Sequence, residues 1–130
     1  MAKSVKSDAA PAPVGPYSQA VRVRPSELLF SAGQIPIDPS SGEMVPGGVP
    51  EQTRRVLENL RAVLEAAGFS MREVVKTSVY MADLGEFASM NKVYAEFFSE
   101  PYPARSCFQV GALPKGALVE IDVVAVKEGD

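Results

Sequence analysis

The 130-residue sequence predicts a two-layer α+β domain, on three observations. Two segments repeat apolar residues every three or four positions, and shorter ones alternate with period two. Along the chain they follow one another as strand, strand, helix, strand, helix, strand, strand. Two helices of this length cover one face of a mixed sheet of five or six strands and leave the other face without a helical layer.

The totals fit a single domain over 1–130: hydrophobic residues make up 46% and charged residues 22%, enough for a core without disulfides or metal. A net charge of −3 gives no basic footprint for tracking a phosphate backbone, so nucleic acid is not an expected partner. There is no histidine, which removes Ser-His and Cys-His nucleophile schemes and zinc sites of Cys and His. Acid-base chemistry then falls to a carboxylate, tyrosine, lysine or bound water. One cysteine, no secretory leader and no apolar run of about 20 residues point to a cytoplasmic protein without a membrane partner.

Residues 1–14 lack periodicity and are expected to form a mobile arm. Gly15-Pro16 signals a turn that delivers 17–23 as a strand, with a tight turn over 24–27 and a hairpin partner over 28–33. Pro36 and Pro39 take the chain out of the sheet, and 40–48 reads as a surface loop. From Pro50, the positions Thr53, Val56, Leu57, Leu60, Val63, Leu64 and Ala67 form one helix face, with Pro50 in the first turn and Gly68 as the stop. Arg54, Arg55, Glu58, Arg61 and Glu65 make its solvated face. Residues 74–81 alternate as a strand, Asp83 and Glu86 form a capping signature, and Phe87, Met90, Tyr94, Phe97 and Phe98 line a second helix with Asn91 beside that stripe. Residues 118–127 form the last strand, one face small and apolar (Val119, Ile121, Val123, Ala125), the other mixing Glu120 and Asp122 with Val124 and Val126. The faces carrying Val124, Val126, Leu28 or Leu29 and Cys107 are expected to be covered in a closed homo-oligomer with sheets inward.

The stretch 102–110 concentrates chemistry. After Pro103 the alternation sends Arg105, Cys107 and Gln109 to one face and Ser106, Phe108 and Val110 to the other. If the 113–116 turn closes an antiparallel hairpin with the last strand, Arg105 lies opposite Glu120 and Cys107 opposite Leu118. Two readings compete there: a cross-strand ion pair that only supports the interface, and an anion clamp beside a general base that activates water. A lone cysteine is more often a small buried hydrophobe than a nucleophile.

The blocks Gly15-Pro16-Tyr17-Ser18-Gln19-Ala20, Ser31-Ala32-Gly33-Gln34-Ile35-Pro36, Asn91, Pro103-Ala104-Arg105-Ser106-Cys107 and Leu113-Pro114-Lys115-Gly116 with Val119-Glu120-Ile121 resemble, in order, the reactive intermediate deaminase A (RidA; YjgF/YER057c/UK114) family. The resemblance implies a chorismate-mutase-like homotrimer with sites at subunit clefts. It also implies hydrolysis of 2-imino or enamine acids, 2-iminobutanoate and 2-iminopropanoate, without a metal or other cofactor. Carried over by position, Arg105 binds the substrate carboxylate, Glu120 orients the attacking water, and Cys107 contributes its backbone N–H. Tyr17, Ser31, Gly33 and Asn91 line the pocket, with Tyr17 expected from a neighbouring subunit. At Asp122 many members carry Glu. Other activities weighed against deamination are a non-catalytic 2-oxo acid binding module, an RNA-cleaving or translation-inhibiting activity, and a holdase.

Overall fold

The computed structural model describes residues 2–129. The three-and-four repeat forms α1 (Val49–Ala66), with Pro50 in its first turn and the Glu51 side chain accepting from Gly48 N–H at 2.8 Å. Gly68, at φ +81, ends it in the left-handed conformation glycine adopts without strain. Val56, Leu57, Leu60 and Leu64 are fully buried. The solvated face is partly engaged: Arg54 makes a two-pronged pair with Glu96 at 3.0 and 3.2 Å, tying α1 to the next helix.

β6 (Val74–Met81), α2 (Phe87–Phe97) and β7 (Ala104–Gln109) form a βαβ unit, with β6 and β7 parallel. The Asp83 signature caps a 3₁₀ turn, Leu84–Glu86, through Gly85 N–H at 2.8 Å, and α2 starts one turn later than the signature suggests. β8 (Val119–Glu128) runs antiparallel to β6 on its other side, and β3 (Pro25–Phe30) flanks β8. The order is therefore β3-β8-β6-β7. Between β7 and β8 the connection passes over the end of β6, where Val110 N–H donates to Met81 O and Ala82 N–H to Leu118 O.

The α+β reading with both helices on one face holds, but the main sheet has four strands rather than five or six. The expected 17–23/28–33 hairpin does not form. Ser18 is pinned instead to the start of β7, its N–H donating to Pro103 O and its hydroxyl to Tyr102 O. The following β2 (Ala20–Arg22) pairs with β1 (Lys3–Val5), so the expected arm contains a paired strand. β3 takes the ten-residue β8 as its partner. A separate ribbon of β4 (Ile37–Asp38) and β5 (Glu43–Met44) carries the proline-bounded loop.

Thr77, Val79 and Met81 of β6 and Val119, Ile121 and Val123 of β8 face the helices and are buried. The opposite face carries Tyr80, Phe108, Glu120, Asp122 and Val124, with Tyr80 stacked on Phe108 at 6.3 Å and donating to Asp122 at 3.1 Å. On that side Phe30 is 71%, Phe108 51% and Leu28 50% exposed. Among the described residues no helix is long and apolar enough to cross a membrane.

Leu60 and Val63 share one period in the sequence but not one environment: Leu60 is fully buried and Val63 is 38% exposed. Leu60→Ala is expected to cost about 2–5 kcal/mol and Val63→Ala under about 1 kcal/mol, read from urea unfolding midpoints.

Candidate functional site

Arg105 lies on the edge strand β7, in register with Thr77 of β6, and its side chain runs on the helix face of the sheet. Nη1–H donates to Asn91 Oδ1 at 2.6 Å. Three rings surround the guanidinium: Tyr94 with its centroid 4.8 Å from Cζ, Tyr17 at 5.0 Å and Phe87 at 5.3 Å. Phe87, Asn91 and Tyr94 recur at four and three residues, so one stripe of α2 supplies two of the rings and the amide. Burial pulls the Arg105 pKa down, opposed by Tyr94, Cys107 and Tyr17, while a guanidinium stays charged at any working pH. None of these described contacts is a carboxylate. A half-buried cation held by rings and one amide, with hydrogen-bonding capacity to spare, is built to receive an anion.

The segment before Tyr17 closes over this group. Tyr17 N–H donates to Gly15 O at 2.8 Å and Val14 N–H to the Tyr17 hydroxyl at 3.2 Å, making a tight arch. A Cβ on Gly15 would sit 3.1 Å from Asn91 Nδ2 and 3.2 Å from Arg105 Nη2, so glycine is what lets the arch approach. Tyr17 therefore meets Arg105 of its own chain. Cys107 follows on the same face of β7, in register with the buried Val79, so it lies on the helix side and not on the uncovered face where it was expected, and it is half-buried. Burial pushes its thiol up, with Arg105 opposing, so it remains protonated at neutral pH and a poor nucleophile.

Glu120 is elsewhere. β6 separates β7 from β8, so the hairpin register that set Arg105 opposite Glu120 and Cys107 opposite Leu118 does not exist. The parallel return places β7 against one edge of β6, and β8 takes the other edge of β6 rather than the outer edge of β7. Glu120 pairs with Tyr80 and faces away from the helices. Strand geometry puts the Arg105 and Glu120 Cα atoms about 14 Å apart, with side chains on opposite faces. The cross-strand ion pair is thus excluded within one chain.

Around Glu120 a second group assembles. Ser31 N–H donates to Val123 O at 3.0 Å and Val123 N–H to Ser31 Oγ at 2.9 Å, while Gln34 bridges to Ile121. This lays Gly33 on Glu120 so closely that any side chain at 33 would collide with the carboxylate. The predicted site residues accordingly fall into two clusters, Tyr17, Asn91, Arg105 and Cys107 on one side and Ser31, Gly33 and Glu120 on the other. Phe87, Tyr94 and Gly15 were not foreseen. The visible signal was an asparagine at four and three residues from two aromatics, a polar group placed on an apolar stripe.

A cleft of about 870 Å³ elsewhere, lined in part by Arg61, Glu73, Phe97 and Val126, does not touch Arg105. Of its lining charges, Glu73 pairs with Lys127 at 2.9 Å and Arg61 lies over the Phe97 ring at 4.8 Å. Among the described residues no group of three or more Cys, Asp or Glu converges to hold a metal.

The site is thus a guanidinium caged by three rings and one amide on the edge strand of a two-layer α+β domain. A family model described as Endoribonuclease L-PSP matches residues 7–127. The chain is 52% identical over 128 residues to the RutC family protein PH0854 of Pyrococcus horikoshii, covering 98% of this chain and all of that protein. It is 46% identical over 125 residues to the 2-iminobutanoate/2-iminopropanoate deaminase of Mus musculus, covering 96% and 91%. Crystalline RidA from an Antarctic Psychrobacter superposes with a TM-score of 0.76 at 44% identity, covering 96% and 99%. The chain belongs to the RidA family.

Tyr94 provides a pH test of the cage. Burial pushes its hydroxyl from 10.0 up to about 12, opposed by the bond with Thr77 and the Arg105 charge. A pKa raised by folding stabilises the fold fully below the unfolded value and is lost as pH rises through the folded one. Stability is therefore expected to fall by about 3 kcal/mol between pH 10 and about 12. Denaturant unfolding of wild type against Tyr94→Phe isolates it, since the variant should lack that part of the alkaline slope.

Proposed function

We propose that this protein hydrolyses reactive 2-imino and enamine acids, 2-iminobutanoate and 2-iminopropanoate, to 2-oxo acids and ammonia. The observation that carries this reading is Arg105, half-buried among three rings, bonded to Asn91 and without a carboxylate among its described contacts. A planar 2-imino carboxylate matches a guanidinium edge, and the relatives named as deaminases of these two substrates support the choice.

Because Glu120 lies on the other face of its own sheet, it serves the Arg105 cluster of another copy. A homotrimer with sheets inward achieves this, and the exposed Leu28, Phe30 and Phe108 provide the apolar surface to be covered. With the carboxylate on Arg105 and the Cys107 backbone N–H, the C=N carbon is presented to a water held by Glu120. Glu120 takes a proton as the water oxygen bonds to carbon and the π pair moves to nitrogen. Returning that proton to nitrogen gives the carbinolamine, and passing its hydroxyl proton through Glu120 to the amine lets ammonia leave with the C–N pair as C=O forms. The proton transfers fall to a carboxylate, one of the groups left for acid-base chemistry in a chain with no histidine. RNA cleavage is not favoured by a net charge of −3.

The deciding experiment generates 2-iminopropanoate from serine with a dehydratase and follows pyruvate release. Wild type should accelerate release, and absence of acceleration would sink the enzyme reading. Losing charge-assisted bonds at about 1.5–3 kcal/mol, Arg105→Ala should lose about 10–150-fold in kcat/KM, whereas Cys107→Ala should keep most activity. Phe30→Glu with Phe108→Asp should give a folded monomer in sedimentation that is inactive although its cage is intact. Full activity in such a monomer would show that no second copy completes the site.

A further inference from the structure

We propose that Tyr94, locked by Thr77, is the positioning residue that fixes the plane of the Arg105 guanidinium; this rests on the reading of Arg105 as the carboxylate clamp. Tyr94 and Thr77 are both fully buried, one on α2 and one on β6. Their hydroxyls satisfy each other at 2.9 Å. Phe98 packs on the Tyr94 ring at 4.5 Å, so the ring is held through its hydroxyl and from Phe98 together.

Of the three rings around Arg105, Tyr94 is nearest at 4.8 Å and is the only one fully buried, Tyr17 and Phe87 being half-buried. Thr77 is also the residue in register with Arg105 across β6 and β7. One threonine therefore anchors both the backbone beside Arg105 and the ring beneath its guanidinium. A hydroxyl pair at this depth adds little stability over an apolar pair of the same shape, but it gives the ring one orientation. With Nη1 spent on Asn91 and one face resting on Tyr94, the remaining N–H groups point in fixed directions toward an incoming carboxylate.

Two readouts test this. Calorimetry measures the Kd for 2-oxobutanoate, a stable product, and NMR follows the Arg105 Nε–Hε resonance, assigned by its loss in Arg105→Lys. Tyr94→Leu should weaken Kd about tenfold and remove the ring-current displacement of that resonance. Tyr94→Met, whose longer and flexible side chain adapts to the space of the ring, should do the same and stands in if Tyr94→Leu does not fold. The double variant Thr77→Val with Tyr94→Phe keeps the ring but removes the hydroxyl pair that orients it, without stranding a hydroxyl, and should weaken Kd about threefold with a smaller displacement of the resonance. An unchanged resonance and Kd in Tyr94→Leu or Tyr94→Met overturns the proposal. So does a wild-type Kd and resonance in the double variant, which would mean that the hydroxyl pair does not hold the ring. Should wild type bind 2-oxobutanoate no tighter than Arg105→Ala, the carboxylate clamp itself fails, and the resonance alone then decides whether Tyr94 orients the guanidinium.

Discussion

The structure turns on a cation taken partly out of water without an opposing carboxylate among its described contacts. Burying a guanidinium is unfavourable unless its charge and donors are met, and here the protein meets them with ring faces and one amide oxygen. Several otherwise separate choices follow from that arrangement. The α2 stripe Phe87, Asn91, Tyr94 departs from pure hydrophobicity at one position, β6 carries a threonine in its buried row, and Gly15 leaves room for the arch that brings Tyr17 in.

The second constraint is the parallel pairing of β6 and β7. β7 is the last strand of the order, so its helix-facing side chains border both the core and the space beyond it. Ser18 partly continues that edge through its bridge to Ala104, which is why the Tyr17 segment is found here rather than in a hairpin with β3. Position on the edge gives Arg105 access while the ring floor keeps it ordered.

Much of this was legible in the chain. α1 could be read almost to its ends because period, proline and glycine all agree, and the two-layer architecture follows from two amphipathic helices and several alternating strands. The face shared by Arg105, Cys107 and Gln109 was legible too, since parity within a strand is local. What parity cannot report is which strand lies alongside. A hairpin between the last two strands looked natural because they are consecutive, yet their connection crosses the end of β6, and Arg105 and Glu120 part to opposite faces. The family resemblance pointed to individual residues, whereas their division into two clusters appears only with the strand order. Tyr94 was legible as core and not as a neighbour of Arg105, because a stripe position looks the same whether it packs on leucine or on a guanidinium.

The position of β6 between the two clusters has an evolutionary consequence. Residues around Arg105 are tuned by the helix-side core, and those around Glu120 by the open face with its phenylalanines, so the sheet insulates one set from the other. Under the proposed reaction, recognition of the acid and handling of the water are inherited as separable modules. Drift in the aromatic cage can alter which acids are held without repacking the face where copies meet, and changes in assembly can re-aim the carboxylate without disturbing the cage.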